Sequence, residues 1–355
     1  MRASPRKLLI GLFGIVVLGL VIYFSRGFIH LKDFSWPKLV HAVRNANPYL
    51  LIVSIVAIYA CYAIRALRWK VFQGNLGPSR FWQIYSMTLA GFSAVFLLGR
   101  AGEPVRPVLL ARKEGLPFAD MFGIYFLERI FDFASTAVIA SIALLLYKSH
   151  AAAAQAAGTL EAAAKTTGTL LSAGVLVAIT FLVYLRLHGT ALLERRLEGW
   201  RAAHGWRAVV ARMLLGFVRG VQAIRSVGEL LAALLYSAVH WFLVLLVYLG
   251  VSRAFGGPVL GTLSLGDAML VLAFTLVGSA VQVPTVGGGA QAATFLVYTK
   301  ILGVDGERAL AGAIVLWLIS FAACSLAGVP LLLREGFSPG KLRELADYEK
   351  QGMEV

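Results

Sequence analysis

Gly99-Arg100-Ala101-Gly102-Glu103-Pro104-Val105-Arg106 and Pro284-Thr285-Val286-Gly287-Gly288-Gly289 decide how this chain is read, because each interrupts a hydrophobic segment. Lipid offers a broken backbone no hydrogen bonds. Gly and Pro at membrane depth therefore imply protein or water around the break, which is how transporters build a central site. The simpler alternative is that both are hairpin turns. Around these stretches, 59% of the 355 residues are apolar and 14% are charged, with a mean hydropathy of +0.78. A soluble domain is about a quarter charged. The composition identifies a polytopic membrane protein.

The net charge of +15 raises the question of nucleic acid, but Lys and Arg sit in loops between apolar runs instead of clustering on one stretch. The membrane accounts for the charge, and no nucleic-acid partner is expected. Cys61 and Cys324 both fall inside apolar runs, so neither a disulfide framework nor a metal site is indicated.

Apolar runs long enough to span, at roughly 20 residues each, are Leu8 to Phe24, Tyr49 to Ile64, Met121 to Tyr147, Gly168 to Leu187, Leu230 to Val251 and Ala309 to Leu333. The first follows Arg2, Arg6 and Lys7. It lacks the small-residue cleavage pattern of a signal peptide at Tyr23-Phe24-Ser25-Arg26, so it reads as an uncleaved span with a cytoplasmic N-terminus. Phe81 to Leu98 and Ala268 to Val283 are each followed by a break and a shorter apolar piece. Most of the 33 Lys and Arg fall on one side of the membrane if Phe81 to Phe118 enters and leaves on the cytoplasmic face and Ala268 to Lys300 does the same from outside. That assignment counts Arg65 to Arg80 as a cytoplasmic loop.

The expected architecture is then all-α, with six full spans and two re-entrant helical hairpins. Its segments are 1–48 (first span and outer loop), 49–147 (span, hairpin, span), 148–229, 230–333 (span, hairpin, span) and a cytoplasmic tail, 334–355. The halves 49–147 and 230–333 match in opposite orientations, the inverted-repeat plan of many secondary transporters. The alternative keeps both broken segments as ordinary pairs of spans. Within 148–229 lie an Ala-rich outer loop, the span Gly168 to Leu187 and a basic stretch, Leu192 to Ser226. There Trp206, Val210, Met213, Phe217, Val221 and Ile224 share a helical face and Arg207, Arg212, Arg219 and Arg225 lie off it, as in a helix lying in the headgroup layer.

Glu128, Arg129 and Asp132 sit inside the run Met121 to Tyr147, where each charge costs about 3 kcal/mol or more unless paired or hydrated. Glu128 and Asp132 are four apart on one helix face, and Arg129 is three before Asp132, close enough to pair with it. Arg100, Glu103 and Arg106 in the first break bring the set to three arginines and three carboxylates able to meet at one embedded spot. One reading is a salt-bridge network that pins the hairpin to its neighbouring span. The other is an arginine fork that binds phosphate, two oxygens at once, while a carboxylate carries a proton to drive the cycle.

In the second break, Pro284 is followed by Gly287, Gly288 and Gly289 and a helix over Ala290 to Lys300. Such a turn into a helix N-terminus is either an anion site or a close-packing device. Gln282, Gln291 and Tyr298 are candidates to line the same cavity. His240, in Leu230 to Val251, is expected to hydrogen-bond a neighbouring helix.

The succession G-R-x-G-E-P-x-R, then E-R-x-x-D at Glu128, Arg129 and Asp132, then P-x-x-G-G-G resembles the membrane domain of the lysylphosphatidylglycerol synthase family, also called flippase-like or UPF0104. The similarity runs from about Tyr49 to Leu333. In bifunctional members a flippase domain precedes a soluble synthase that attaches lysine to phosphatidylglycerol. The chain ends at Val355, soon after its last span, so the resemblance implies the translocating half alone. Glu103, Arg106, Glu128, Arg129 and Asp132 match motif positions and inherit a headgroup or coupling role. Ala290-Gln291 stands where relatives often place an acidic residue, which puts coupling through that hairpin in doubt.

The expected function is movement of a phospholipid or a polyprenyl-phosphate-linked lipid between leaflets of the cell membrane, without chemistry on it and without a cofactor. A separate lipid-modifying enzyme and a second copy of the chain are the protein partners this reading admits. Two alternatives stay open. One is an integral-membrane glycosyltransferase, although no D-x-D, H-E-x-x-H or Walker A sequence is present. The other is a proton-coupled small-solute transporter.

Overall fold

The structure is a computed structural model of the chain. It describes residues 35–77, 79–146, 223–279, 282–283 and 287–336, with scattered positions between 166 and 180. The expected first span, the Ala-rich loop, most of the span Gly168 to Leu187, the basic stretch up to residue 222, Pro284 and the tail beyond residue 336 lie outside the described residues.

Among the described residues the fold is all-α apart from one two-residue strand pairing. The order is α1 (Trp36–Arg44), α2 (Pro48–Gln73), α3 (Phe81–Leu98), a 3-10 turn (Gly99–Gly102), α4 (Val105–Glu114), α5 (Phe118–Leu145) and α6 (Val227–Ala254). Then follow α7 (Leu265–Gly278), β1 (Gln282–Val283), β2 (Gly287–Gly288), α8 (Gly289–Leu296), a π-turn (Val297–Ile301), α9 (Gly306–Trp317), a second π-turn (Leu318–Ala322) and α10 (Ala323–Arg334). Helix starts carry their own caps. The Asn47 side chain accepts from the N–H groups of Tyr49 and Leu50, with Pro48 in the first helical position. Ser264 and Asp267 cap each other reciprocally at the start of α7.

Four described helical stretches are long and apolar enough to cross a membrane: Pro48–Gln73, Phe81–Gly102, Val227–Ala254 and Gly306–Arg334. The 28-residue α5 has the length as well, with Glu128, Arg129 and Asp132 near its middle. By contrast, α4, α7 and α8 have 10, 14 and 8 residues. At 1.5 Å per residue these rise only about 15, 21 and 12 Å, against a hydrocarbon core of about 30 Å. On α2, Tyr49, Ile52, Val53 and Val56 form an exposed apolar stripe at helical spacing. An exposed stripe of that kind suits contact with lipid chains.

One expectation needs correcting. No helix breaker occurs between Ile64 and Gly74, and α2 continues through Arg65 and Arg68 to Gln73. Both arginines are buried in the helix, not part of a cytoplasmic loop. The segment before α2 also contains a helix, α1, whose Leu39 and Ala42 pack on the core.

Between helices in lipid the hydrophobic effect is weak, and small residues and interhelical hydrogen bonds hold the packing. α2 and α6 lie antiparallel. At one end the Asn47 N–H donates to the Ala254 carbonyl at 2.8 Å, and at the other the Asn75 amide donates to Glu229 at 2.8 Å. Midway, His240 Nδ1 lies 3.1 Å from the Cys61 carbonyl, the contact with a neighbouring helix that its place in an apolar run suggested. α3 packs along α10, where the Ser93 hydroxyl donates to the Ser325 carbonyl. α7 packs on α5, while α4 lies against α3 and α5, and α8 against α7 and α9.

The apolar interior has two parts. Ile58, Cys61 and Tyr62 of α2 join a core with α6, α7 and α9. Ala66, Trp69 and Phe72, one to three turns further along, join a second core with α3, α4 and α5. Arg65 and Arg68 fall at the seam between the two.

Candidate functional site

The charged residues of α5 are held by arginines from two other helices. Glu128 and Asp132, one turn apart, face Arg65 and Arg68, which are also one turn apart on α2. Arg65 Nε donates to Glu128 Oε1 at 2.7 Å, and Arg65 Nη2 donates to Asp132. Arg68 Nη2 reaches Asp132 Oδ1 at 2.7 Å and Glu128 Oε1 at 3.2 Å, while its Nη1 donates to Ser237 of α6 at 2.9 Å. From α4, Arg106 Nη1 lies 2.7 Å from Glu128 Oε2. Arg129 turns back to Asp132 at 3.2 Å, the local pair that the three-residue spacing anticipates.

Four arginines thus surround two carboxylates, and the cluster carries an excess of positive charge. Burying charge is costly unless it is paired and hydrogen-bonded. The excess is most evident at Arg106, which is 3% exposed, with Nε and Nη2 making no hydrogen bond. Its guanidinium lies 4.3 Å from the ring centroid of Trp69. Arg129 stands over the Tyr125 ring at 5.2 Å, and its Nε is also without a partner. Gly91 of α3 makes room for this arrangement, since a Cβ there would come within 2.5 Å of Arg106 Cβ.

Arg100 and Glu103 form a second, more exposed pair at 2.7 Å. Tyr125 donates its hydroxyl to Glu103, and Arg100 Nη2 donates to the Ser279 carbonyl at the end of α7, 3.0 Å away. The first break is thereby tied to the end of the helix that leads into the second. Within the first break, Glu103 pairs with Arg100, and Arg106 pairs with Glu128 of α5.

These residues border a cavity of about 840 Å³, in the size range of small-molecule sites. Arg65, Arg100, Arg106 and Arg129 line it, together with Glu103 and Asp132. The opposite flank is apolar, formed by Phe133, Ala137 and Ala140 of α5 and Ala273, Leu276 and Val277 of α7. Phe133 and Val277 are 72% and 77% exposed, so this flank reaches the outer surface of the protein.

At the second break the backbone doubles back, with Gln282 opposite Gly288 and Val283 opposite Gly287. Gly288 adopts φ +108°, a conformation open to glycine. Its N–H donates to Gln291 Oε1 at 2.6 Å, so the chain's own side chain takes up that donor. Gly289 opens α8. Pro284 and the Gln282 side chain lie outside the described residues. Tyr298, a candidate to line this cavity, is fully buried elsewhere, its hydroxyl 2.6 Å from that of Ser252 on α6.

Arg65 and Arg68 are the site residues that sequence reasoning missed. Their signal is the unbroken helical register from Cys61 through Arg65 and Arg68 to Phe72, which keeps all four on one buried face. Among the described residues no group of three or more His, Cys, Asp or Glu side chains is placed to hold a metal ion.

Comparison with known proteins agrees with the family resemblance. The family described as the lysylphosphatidylglycerol synthase TM region matches residues 11–328. The chain belongs to that family. Every residue of the arginine cluster lies inside the matched stretch of this lysylphosphatidylglycerol synthase membrane region. A protein of Methanothermobacter thermautotrophicus named UPF0104 membrane protein is 25% identical over 150 residues, 41% of this chain and 40% of that protein. The match therefore spans about two fifths of the relative's length. No solved structure matches the chain.

Proposed function

We propose that the protein translocates a phosphate-bearing lipid between membrane leaflets. The observation that carries this reading is the cavity of about 840 Å³, with four arginines on one wall and an apolar flank that reaches the surface between α5 and α7. An arginine fork suits a phosphate because two parallel N–H groups meet two oxygens. The apolar flank suits acyl or prenyl chains that stay in the bilayer while the headgroup crosses. Lateral access of this kind favours a lipid over a small solute.

We read α2–α5 and α6–α10 as an inverted repeat with two re-entrant hairpins. Packing relations support it: α3 lies on α10 as α7 lies on α5, α4 joins α3 to α5 as α8 joins α7 to α9, and α2 lies along α6. The shortness of α4, α7 and α8 supports the hairpins. On this reading both termini are cytoplasmic, and the cavity that Arg100, Arg106 and Ser279 line stands beside the first break, the kind of place where such folds bind their substrate.

Leaflet exchange of headgroup-labelled lipids in proteoliposomes tests the proposal, using anionic, zwitterionic and polyprenyl-phosphate probes with and without a proton gradient. Exchange that depends on the protein and is lost in Arg129→Ala, with the variant still monodisperse, is the expected result. No exchange of any probe under either condition would overturn it and turn attention to an enzyme on a lipid-linked substrate or to a solute carrier.

A further inference from the structure

The large cavity is closed toward the start of α5 and open further along it. Its lining on α5 runs from Tyr125 to Ala140, a rise of about 22 Å at 1.5 Å per residue. Among the described residues, none of α5 before Tyr125 takes part. There Phe118 and Phe122 stack at 5.4 Å and Phe122 and Tyr125 at 6.0 Å, while Met121 and Ile124 are fully buried. The helix is packed shut on that side. In the other direction the lining is apolar and reaches the surface at Phe133 and Val277.

A layer of polar bonds floors the closed end. Arg100 Nη1 donates to Glu103 at 2.7 Å, Arg100 Nη2 donates to the Ser279 carbonyl at 3.0 Å, and the Tyr125 hydroxyl donates to Glu103. Three elements are joined there: the first break, α5 and the end of α7. The carbonyl that Arg100 reaches belongs to the C-terminal end of a helix, where acceptors are left over and a cation is favoured. Ser279 also borders a second cavity, of about 190 Å³, so the end of α7 has open space on its other side.

Burial separates this layer from the arginine cluster beside it. Glu128 is 1% exposed and meets Arg65, Arg68 and Arg106, and breaking a buried pair of that kind is strongly destabilising. The Arg100 and Glu103 side chains are 54% and 25% exposed. An exposed pair contributes little to stability, so it can part and re-form at small cost. A change of access needs an element with two arrangements of similar energy. The layer of Arg100, Glu103 and Tyr125 meets that requirement, and the buried cluster is the fixed frame against which it moves.

We infer that Arg100, Glu103 and Tyr125 form a gate. Closed, as in this structure, it shuts the cavity on the side where α5 begins; open, it parts the end of α7 from the first break and admits that side to the arginines. On the orientation proposed above, this is the cytoplasmic side. The gate rests on the translocase reading for its purpose, but its test reads access and not transport. Thr136 lines the cavity one turn beyond Asp132, and its hydroxyl donates within its own helix, to the Phe133 carbonyl at 3.0 Å. Thr136→Cys is labelled with a membrane-impermeant maleimide from each side of sealed proteoliposomes of known orientation, counted above the labelling of the natural thiols. With the gate intact the thiol should react from the side where α5 ends and scarcely from the other. Tyr125→Phe keeps the ring beside Arg129 and removes the O–H, and Glu103→Gln keeps the shape and removes the charge that holds Arg100. Each should raise labelling from the side where α5 begins about tenfold, the scale of one hydrogen bond to a charged group, with the unfolding midpoint unchanged. Equal labelling from both sides with the gate intact, no gain in either variant, or a gain that comes with a large fall in midpoint would overturn the gate and leave the translocase to the exchange measurement. The expected gain in access, in a protein that exchanges no lipid, would keep the gate and overturn the translocase.

Discussion

Arg106 and Glu128 stand 2.7 Å apart, and through this pair the short helix after the first break is fastened to the middle of α5. Glu128 also receives Arg65 and Arg68, so one carboxylate gathers three helices: α2, α4 and α5. A carboxylate in that position orients the arginines and keeps them from repelling one another.

Removing it should be costly. Glu128→Ala leaves Asp132 to pair with Arg65, Arg68 and Arg129 and leaves Arg106 with no carboxylate, and loss of one partner from a buried pair typically costs about 3–5 kcal/mol. We expect a large fall in the thermal midpoint of the purified protein in detergent. A midpoint within a degree or two of the parent would show that the cluster is hydrated and contributes little to the fold.

Arg68 and Arg129 should separate stability from function. Arg68 is 1% exposed, bonded to Asp132, Glu128 and Ser237, and absent from the lining of both cavities. Arg129 lines the large cavity, and its side chain is 27% exposed. Arg68→Met is expected to lower the unfolding midpoint. Arg129→Lys retains the charge but not the planar fork, and should reduce lipid exchange about tenfold with little change in midpoint. Full transport activity in Arg129→Lys would remove the case for bidentate phosphate binding.

The helical membrane class, the two breaks and the charged trio on α5 were legible in the sequence because hydropathy and helical spacing are local properties. The partners of Glu128 were not. Arg65 and Arg68 follow an apolar run, and a hydropathy reading ends the span there; only continuous helical register shows that they face inward. Arg106 was found but its partner was not singled out, since spacing along the chain says nothing of Glu128, which tertiary packing brings within 2.7 Å.

Gly91→Ala tests how closely α4 must approach α3. The added methyl would stand 2.5 Å from Arg106 Cβ and 3.2 Å from its Cα, so backbone as well as side chain must shift. Overpacking of this kind costs about 1–3 kcal/mol and would move Arg106 off Glu128. Reduced stability together with reduced exchange is expected, and recovery of both in a second variant that shortens Arg106 would trace the effect to this contact. Wild-type behaviour in Gly91→Ala would mean that α4 is free to slide.

The re-entrant arrangement is open to a labelling test, for which the chain is well suited because Cys61 and Cys324 are 1% and 0% exposed. Both natural thiols should react slowly with a membrane-impermeant maleimide in the folded protein. Ala101→Cys stands in the first break and Gly288→Cys in the second, and the 3-10 turn that contains Ala101 packs against β1. If both hairpin tips meet at mid-membrane around one water-filled cavity, each engineered thiol reacts at an intermediate rate, Ala101→Cys from the cytoplasmic side and Gly288→Cys from outside, and a phosphate lipid slows labelling at Ala101→Cys. The Gly288 variant is interpretable only if it folds, given the φ of +108° at that position; Gln291→Cys, one helical turn along, is the substitute. Reactivity of Ala101→Cys exclusively from outside would mean that Phe81–Gly102 crosses the bilayer outright, and the paired re-entrant plan would fail.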